Sequence, residues 1–344
     1  MATAVPKTRP PRLERVSTTE PGIRRVRHGR GFRYLLPDGE PVEDTEVLMR
    51  IHELVIPPAW NDVWICPYPG GHIQATGVDA AGRKQYLYHP RWRRRRDLEK
   101  FDDMVEFARR LPAMRSYLGE RIELGDFSRE HVLACAVRLL ELGFFRIGSE
   151  DYAVRNETYG LATMKKRHVR LQAEDALVFT YPAKHGKRQV RQVIDPVLAD
   201  VVMRLKRRRG GSDELLAYKQ GGRWLDVKSG DINLFIKDAT GRDASAKDFR
   251  TWNATVLAAV GLATATWAPK TKTGRRRAIK RVVGEVAYYL GNTPAVARAS
   301  YIDPRVFDRY EEGKVIDVSA VAAGDDATAI QGPPELAVLE LLDG

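Results

Sequence analysis

Side chains suited to phosphate chemistry recur between residues 146 and 301 of this 344-residue sequence. Arg146 follows the end of a predicted helix, Arg250 lies near the start of another, and Lys184 lies at the tip of a predicted hairpin. Asn292 precedes Tyr301 by nine residues. Arginine and lysine bind phosphate oxygens, an amide can donate a hydrogen bond to them, and an ionised phenol is a nucleophile. Taken alone, each residue also has an ordinary explanation: a surface lysine, an ion-paired arginine or a capping asparagine.

The elements predicted to carry these residues are mostly helices. Apolar side chains share one face of residues 129–142, and Gly143 ends that helix just before the first arginine. Ser245 is a plausible cap for the helix that carries Lys247 and Arg250, which are three residues apart and so lie on one face. Further helix starts are predicted at Asp195-Pro196 (running to Gly210), at Asp231 and at Asp303-Pro304.

One small sheet interrupts these helices. Three segments have strand composition, and the loop 182–187 between the last two contains Lys184. A hairpin of this kind predicts a three-stranded antiparallel sheet. The predicted strands are 168–172, 175–181 and 188–193.

The first part of the chain is predicted to be rich in strands and turns, with one short helix around Glu46–Leu54. The segment G-R-K-Q-Y-L-Y-H alternates with a period of two. Gln85 is therefore expected to point away from Tyr86 and Tyr88. The arginine run at 91–96 marks the change to a mainly helical chain.

Composition favours a polyanionic partner. The chain has 57 basic and 45 acidic residues, a net charge of +12 and a pI near 9.7. An anionic membrane surface is the weaker alternative, because no apolar run approaches the ~20 residues that span a bilayer and the N-terminus lacks a secretion signal. One basic run is usually a solvated helix face, but several together favour a surface that follows a phosphate backbone. The runs are 91–96, 165–167, 207–209 and 270–277.

Several kinds of site have no support in the sequence. The two cysteines, Cys66 and Cys135, are too few and too far apart for a disulfide framework or a cysteine-rich zinc site, and they fit a reducing cytosol. Neither a G-x-x-x-x-G-K-[ST] phosphate loop nor an H-E-x-x-H motif occurs. The pair Glu150-Asp151 could bind magnesium, but a solvated helix start explains it better. We therefore expect no cofactor and no bound metal.

Together these motifs resemble the type IB DNA topoisomerases, in the short form of poxviruses and bacteria. The resemblance covers roughly residues 30 to 312, and the order and approximate spacing of Arg, Lys, Arg, His or Asn, and Tyr match the family. The motifs that carry it are I-P-P-A-W, G-R-K-Q-Y-L-Y-H, F-F-R-I-G-S-E-D-Y, E-T-Y-G-L-A-T, K-H-G-K, K-D-F-R-T-W and G-N-T-P-x-x-x-R-x-x-Y.

The resemblance implies an enzyme, an isomerase that relaxes supercoiled duplex DNA through a 3′-phosphotyrosine link and religation. Because the covalent link conserves the energy of the phosphodiester, neither ATP nor a metal is required. The implied catalytic residues are Tyr301 as nucleophile, Arg146, Arg250 and Asn292 on the phosphate oxygens, and Lys184 as general acid, with Lys247 as an assisting candidate. The implied DNA contacts are Arg83, Lys84, Gln85, Tyr86, Tyr88 and Tyr152.

Two features of the segment around Tyr301 need explanation. The family commonly has His where this chain has Asn292, and an amide can donate to a phosphate oxygen but cannot carry a positive charge. Nine residues of straight helix would span ~13 Å and place Asn292 and Tyr301 on opposite faces. We therefore expect the helix to bend or end before Tyr301, or the tyrosine to be held off the site until DNA closes a clamp.

For the fold we predict an α+β architecture. A small β-rich DNA-binding domain is expected over residues 1–92, loosely ordered before residue 30. A larger, mainly helical catalytic domain follows over 93–316, and a tail over 317–344. The family implies a C-shaped clamp around duplex DNA and a cytoplasmic, nucleoid-associated monomer.

Two other functions compete with this interpretation. A tyrosine recombinase uses a related Arg, Lys, Arg and Tyr set, but its second arginine commonly lies in H-x-x-R, and this chain has Lys247 at the His position. A non-catalytic DNA-binding protein would bind with a steep salt dependence and form no covalent adduct.

Overall fold

The chain folds into two compact units, Met1–Lys100 and Phe101–Gly344, in the computed structural model. The first is built on an antiparallel sheet, and the second is mainly helical with two small antiparallel sheets, the predicted one of three strands and an unpredicted one of two. The predicted α+β class, with a β-rich first part and three antiparallel strands inside a helical second part, is confirmed. The structure describes residues 12–173, 175–183, 186–265, 271–319 and 330–344.

The first unit packs one helix against five antiparallel strands. Its elements are β1 (Ile23–His28), β2 (Gly31–Leu35), α1 (Thr45–Glu53), β3 (Asn61–Ile65), β4 (Ile73–Val78) and β5 (Lys84–Tyr88). The strands lie in the order β2-β1-β3-β4-β5. Helix α1 starts one residue before its predicted position, where the Asp44 side chain accepts hydrogen bonds from the N–H groups of Glu46 and Val47. The core of this unit contains Ile23, Val42, Ile51, Val63, Ile65 and Ala75.

Strand β5 confirms the predicted alternation. Tyr86 and Tyr88 are exposed, and their rings stack with centroids 6.0 Å apart. Gln85 is half-buried and donates a hydrogen bond to Asp79 at 2.9 Å. The two tyrosines therefore form one exposed aromatic face on an edge strand of the sheet.

The second unit is formed by helices around two buried ones. Helix α2 (Pro90–Ile122) begins in the first unit and continues into the second. The other helices and strands of the second unit are α3 (Arg129–Gly143), α4 (Glu150–Asn156), β6 (Val169–Leu171), β7 (Ala176–Pro182), β8 (Arg188–Ile194), α5 (Pro196–Arg207), β9 (Ala217–Gln220), β10 (Arg223–Asp226), α6 (Ser229–Thr240), α7 (Ala246–Ala263), α8 (Lys272–Leu290), α9 (Pro294–Ser300), α10 (Pro304–Glu311) and α11 (Pro333–Asp343). The arginine run and the predicted domain boundary after residue 92 lie in the first turns of α2.

Helices α3 and α7 are buried along most of their length. A helix that is apolar on nearly all sides belongs in a core rather than at a surface. Arg146 follows α3 and Arg250 lies inside α7, so both arginines are attached to the buried helices of the unit.

Two helix boundaries differ from their predictions. Helix α5 ends at Arg207 instead of running to Gly210. The buried Arg208 leaves the helix and donates to the carbonyls of Leu205 and Leu215 at 2.9 and 2.8 Å. Asp231 was predicted as a cap, and this was wrong in position: α6 starts at Ser229, and Asp231, in the first turn, accepts a hydrogen bond from the N–H of Lys228.

A half-buried ion cluster attaches the C-terminal helix α11 to the rest of the unit. Arg115 donates to Glu335 at 2.7 Å and to Glu141 at 2.6 Å, and Trp252 of α7 donates to Glu335 at 2.8 Å. Burial alone would lower the pKa of Arg115, but its two carboxylate partners raise it. Breaking such a cluster would leave an uncompensated buried charge.

The two cysteines are fully buried, Cys66 in the first unit and Cys135 in the second. Burial raises the pKa of both thiols, and that of Cys135 to about 12. Because the thiolate is the reactive form, both side chains are chemically inert in the folded protein.

Candidate active site

Arg146 lies on a segment whose backbone is fixed on both sides. Helix α3 ends at Gly143, and Phe144 follows in a left-handed conformation with φ of 53°. The carbonyl oxygen of Arg146 accepts a hydrogen bond from the N–H of Leu161 at 2.8 Å. The predicted helix end before Arg146 is confirmed, and the arginine starts from an ordered backbone.

Two glycines permit the backbone crossing beside Arg146. A Cβ atom at Gly160 would lie 2.3 Å from the nitrogen of Gly148 and 2.6 Å from the carbonyl oxygen of Arg146. Gly148 itself has φ of 87°, a conformation that favours glycine. The segments F-F-R-I-G and Y-G-L-A-T can therefore meet at backbone distance.

The C-terminal end of α8 accepts hydrogen bonds from both arginines. Arg250 donates to the carbonyl of Leu290 at 2.8 Å, and Arg146 donates to that of Gly291 at 3.0 Å. The last carbonyls of a helix have no partner within it and form the negative end of its dipole. These acceptors carry no formal charge, so they orient the two guanidinium groups without forming an ion pair.

Arg250 is the most deeply buried of these side chains, with 4% of its surface exposed. It also donates to the carbonyl of Phe144. Burial lowers its pKa to about 10, and the nearby charge of Arg146 acts in the same direction. Arg250 is therefore still protonated at neutral pH.

Tyr301 comes directly after helix α9, which begins at Pro294 and ends at Ser300. Asn292 precedes the helix and its cap, Thr293. The expectation that the helix ends before Tyr301 is confirmed. The two residues lie outside opposite ends of a short helix and can approach the same point.

The backbone of Tyr301 is held by Thr255, a fully buried residue of α7. The Thr255 hydroxyl accepts a hydrogen bond from the N–H of Asp303 at 3.1 Å and lies 3.4 Å from the carbonyl oxygen of Tyr301. Helix α7 also carries Arg250. One buried helix thus positions both the tyrosine and the guanidinium that faces it.

The phenol of Tyr301 lies in a positive electrostatic field. Its ring centre is 5.4 Å from the guanidinium carbon of Arg250. Burial would raise the pKa of Tyr301, but the charges of Arg250 and Arg146 outweigh it and lower the pKa. The site therefore makes the phenolate, which is the nucleophilic form, easier to form than for an ordinary tyrosine.

Asn292 connects the arginine and the tyrosine. Its side-chain oxygen accepts a hydrogen bond from Arg146. Its side-chain nitrogen is buried and has no hydrogen-bond partner of ordinary geometry in the described part of the chain. The amide is nevertheless close enough to Tyr301 to favour its ionised form. One amide donor thus remains available for a phosphate oxygen.

The two predicted lysines stand differently. Lys184 lies outside the described residues. Lys247 is exposed in the first turn of α7, whereas Arg250, three residues later, is buried. The structure thus places Lys247 in solvent and Arg250 in the core, although the two were expected to share one face of the helix.

Sequence reasoning missed two polar side chains that line the cavity beside Arg146. Gln189 and Arg191 project inward from β8, and Arg188 and Val190 between and beside them are exposed. The period-two alternation of residues 188–193 was the signal that could have found them, because it places Gln189 and Arg191 on one face. The cavity is lined by Phe144, Arg146, Tyr159, Tyr181, Ala183, Lys187, Gln189, Arg191, Arg250, Leu290 and Gly291.

The predicted DNA contacts of the first unit surround the exposed tyrosines of β5. Arg83 forms an ion pair with Asp79 at 2.8 Å, and the Lys84 ammonium lies 5.6 Å from the ring centre of Tyr86. Their role in DNA binding stays a prediction. The side chain of Tyr152, in α4, lies outside the described part of the structure.

The four basic runs do not form one kind of surface. Residues 93–96 and 276–277 are exposed on α2 and α8. In the other two runs, Arg167 pairs with Asp213 at 3.3 Å and Arg208 is buried against carbonyl groups. Two of the runs therefore have mainly structural partners, and in the exposed run on α2 Arg95 and Arg96 pair with Glu99 at 2.9 and 3.1 Å.

The pair Glu150-Asp151 is also explained by structure. Glu150 was expected to be a solvated helix start, but its carboxylate accepts hydrogen bonds from the N–H and hydroxyl of Ser229, at 2.8 and 2.9 Å. It joins the starts of α4 and α6.

Within the described residues, no three His, Cys, Asp or Glu side chains are grouped so as to hold a metal ion. No helix in the described ranges has the length and hydropathy to span a bilayer.

Comparison with known proteins agrees with this geometry. The model of the catalytic core of eukaryotic DNA topoisomerase I matches residues 89–317, and that of the N-terminal domain of bacterial DNA topoisomerase IB matches residues 31–79. The DNA topoisomerase 1B of Acanthamoeba polyphaga mimivirus is 27% identical over 297 residues, which cover 84% of this chain and 88% of that relative. DNA topoisomerase I of monkeypox virus and DNA topoisomerase 1B of vaccinia virus (strain Copenhagen) are each 20% identical over 263 residues, covering 74% of this chain and 78% of theirs.

Proposed function

The chain belongs to the type IB DNA topoisomerases, enzymes that relax DNA by transient cleavage of one strand, and on this basis we propose that Tyr301 is the residue that cleaves. The observation that carries the assignment is the position of its phenol. It faces Arg250 at 5.4 Å, and the charges of Arg250 and Arg146 lower its pKa. Tyr181, which lines the cavity, differs from Tyr301 because burial raises its pKa.

The proposed reaction exchanges one phosphoester bond for another. The Tyr301 phenol loses its proton to solvent, and its oxygen attacks the phosphorus of a DNA phosphodiester. A bond from phosphorus to the tyrosine oxygen forms as the bond to the 5′ oxygen breaks. Lys184 gives a proton to the departing oxygen, with Lys247 as an assisting candidate. The products are a 3′-phosphotyrosine and a free 5′-hydroxyl, and the reverse reaction reseals the strand after the free end has rotated.

Negative charge on the non-bridging oxygens grows in the transition state. Arg146 and Arg250 are held by carbonyl acceptors, so both are oriented before DNA arrives and need no reorganisation during the reaction. The free amide N–H of Asn292 is a third donor of fixed direction. We assign all three residues to these oxygens.

The proposal also concerns what the reaction requires and where the protein acts. Because the covalent link stores the energy for resealing, the reaction is expected to need neither ATP nor a metal cofactor. We propose that the protein acts on duplex DNA as a monomer in the cytoplasm, associated with the nucleoid. The predicted contacts of Arg83, Lys84, Gln85, Tyr86 and Tyr88 belong to this proposal.

The test is relaxation of supercoiled plasmid in the presence of EDTA and the absence of ATP. The wild-type protein should relax the plasmid and give a covalent protein–DNA adduct when trapped with denaturant. Tyr301→Phe should abolish both while DNA affinity is retained, because only the nucleophilic oxygen is lost. Tyr310→Phe, a change in α10 at a tyrosine that does not line the cavity, is the matched control and should retain activity. Unchanged relaxation by Tyr301→Phe would exclude Tyr301 as the nucleophile.

A further inference from the structure

Arg191 is a third guanidinium group in the cavity that contains Arg146 and Arg250. It projects from β8, paired with Phe179 of β7, and donates to the side-chain oxygen of Gln189 at 2.8 Å. Gln189 in turn lies against Gly291, where an added Cβ would be 2.9 Å from its oxygen. Arg191 is thus connected to the same helix end that holds the other two arginines.

The charge of Arg191 has no carboxylate partner within the described residues. Its hydrogen bonds go to the amide oxygen of Gln189 and, at 3.4 Å, to the carbonyl of Val190. Its Nε atom is buried and has no hydrogen-bond partner in the described chain. By contrast, Arg115 and Arg305, partly buried elsewhere in this unit, face carboxylates at 2.6 and 2.7 Å.

Three uncompensated guanidinium groups in one cavity are unfavourable without an anion. Desolvation disfavours each charge, and the groups repel one another, so that burial and Arg146 both lower the pKa of Arg191. An anion bound in the cavity would compensate these charges and would therefore be bound strongly. None of the described residues that line the cavity is acidic, and a phosphate group of the substrate would supply the missing anion.

We infer that Arg191 is a further phosphate-binding residue of the cleavage reaction, whose guanidinium group binds a non-bridging oxygen of the scissile phosphate. This inference rests on the proposed function of the site. It adds a third charge to the two arginines assigned above. As negative charge grows on the phosphate oxygens in the transition state, all three guanidinium groups gain their missing counter-ion.

The experiment compares two substrates that differ only in the charge of the scissile phosphate. One is a suicide DNA duplex with an ordinary phosphodiester, and the other has an uncharged methylphosphonate at the same position. Single-turnover cleavage is measured for the wild type, Arg191→Gln and Arg191→Lys. Loss of one fixed donor in such a site typically costs about 100-fold in rate. We expect Arg191→Gln to lose that much on the phosphodiester and much less on the methylphosphonate, and Arg191→Lys to recover part of the loss.

Arg188→Gln is the matched control, because Arg188 lies on the exposed face of the same strand. Its effect should be the same on both substrates. Since the comparison is made within each variant, a partly misfolded Arg191 protein loses rate on both substrates equally. An equal loss for Arg191→Gln, or no loss on either substrate, overturns the inference.

Failure of the proposed function gives a different result. If the wild type forms no adduct with either substrate, or Tyr301→Phe still does, the assignment of the nucleophile fails. If the wild type cleaves, Tyr301→Phe does not, and Arg191→Gln shows no dependence on phosphate charge, only the role of Arg191 fails.

Discussion

At the scale of single residues, Asn292 separates phosphate binding from proton exchange. Its oxygen is bound by Arg146 and its nitrogen has no ordinary partner within the described residues, so the amide direction is set and one donor is free. A histidine there would donate in the same place but would also titrate near neutral pH. The structure thus predicts a site whose phosphate contacts do not change charge between pH 5 and 8.

The variant Asn292→His tests this interpretation. The new imidazole would have an ordinary pKa of ~6.5, lowered further by the positive charge of Arg146 beside it. Below that pKa the protonated ring adds a charged donor, and above it the charge is lost. The ratio of the cleavage rates of Asn292→His and wild type should therefore fall as pH rises from about 5 to 7. The pH–rate profiles of single-turnover cleavage measure it. A ratio that is constant with pH contradicts the proposed contact, and Asn292→Gln is the uncharged control.

At the scale of elements, the site depends on a close contact between the backbones of two segments, at Gly148 and Gly160. The contact of Gly148 with Gly160 lets the 3₁₀ turn Leu161–Thr163 reach the backbone of Arg146. Helix α7 supports the opposite side through Arg250 and Thr255. The active geometry is therefore a property of backbone packing as much as of the catalytic side chains.

Gly160→Ala should damage both stability and cleavage. The new methyl group would lie within 2.3–2.6 Å of backbone atoms of Gly148 and Arg146, so the backbone itself must move. Overpacking of this kind costs about 1–3 kcal/mol. Gly119→Ala, in α2, is the control, since no atom lies within 4 Å of the added Cβ and alanine is the better helix former. Thermal unfolding and single-turnover cleavage measure the two effects. A Gly160→Ala protein with wild-type cleavage would show that the crossing does not position Arg146.

Features that depend on neighbouring residues could be predicted from the sequence, and features that depend on distant residues could not. Thr293 and Pro294 are a cap and a first-turn residue, so the start of α9 was predictable, as was the left-handed helix end at Gly291. The inward face of β8 was visible as an alternation, but nothing local shows that Gln189 packs against Gly291. Contacts of that kind join segments about a hundred residues apart. They depend on tertiary packing, which period and capping do not report.

At the scale of the whole molecule, net charge alone overstates the surface available to DNA. The chain carries +12, but Arg167 and Arg208 serve acidic or carbonyl groups within the fold. In the exposed run on α2, Arg95 and Arg96 pair with Glu99 at 2.9 and 3.1 Å, so we expect the run on α8 to be the more available for phosphates. Which arginines bind DNA is thus a matter of their partners in the fold, not of their density in the sequence.

The salt dependence of DNA binding distinguishes these two groups. For a Tyr301→Phe protein that cannot cleave, the logarithm of affinity should fall steeply and linearly with the logarithm of salt concentration. Adding Arg276→Gln and Arg277→Gln should reduce the slope by about 0.9 for each phosphate that the protein no longer neutralises. Arg109→Gln should leave the slope unchanged, because its guanidinium is bound by Asp343 at 2.6 and 2.8 Å. Equal slopes for both sets would mean that the α8 run does not bind DNA.

The burial of the two cysteines has a practical consequence. Each compact unit contains one fully buried thiol, and the sequence has no third. An alkylating reagent can modify Cys66 only when the first unit opens and Cys135 only when the second does. The native chain therefore carries two internal reporters that mass spectrometry can count separately. With them, the extent to which bound DNA protects each unit from opening can be measured without adding any label to the protein.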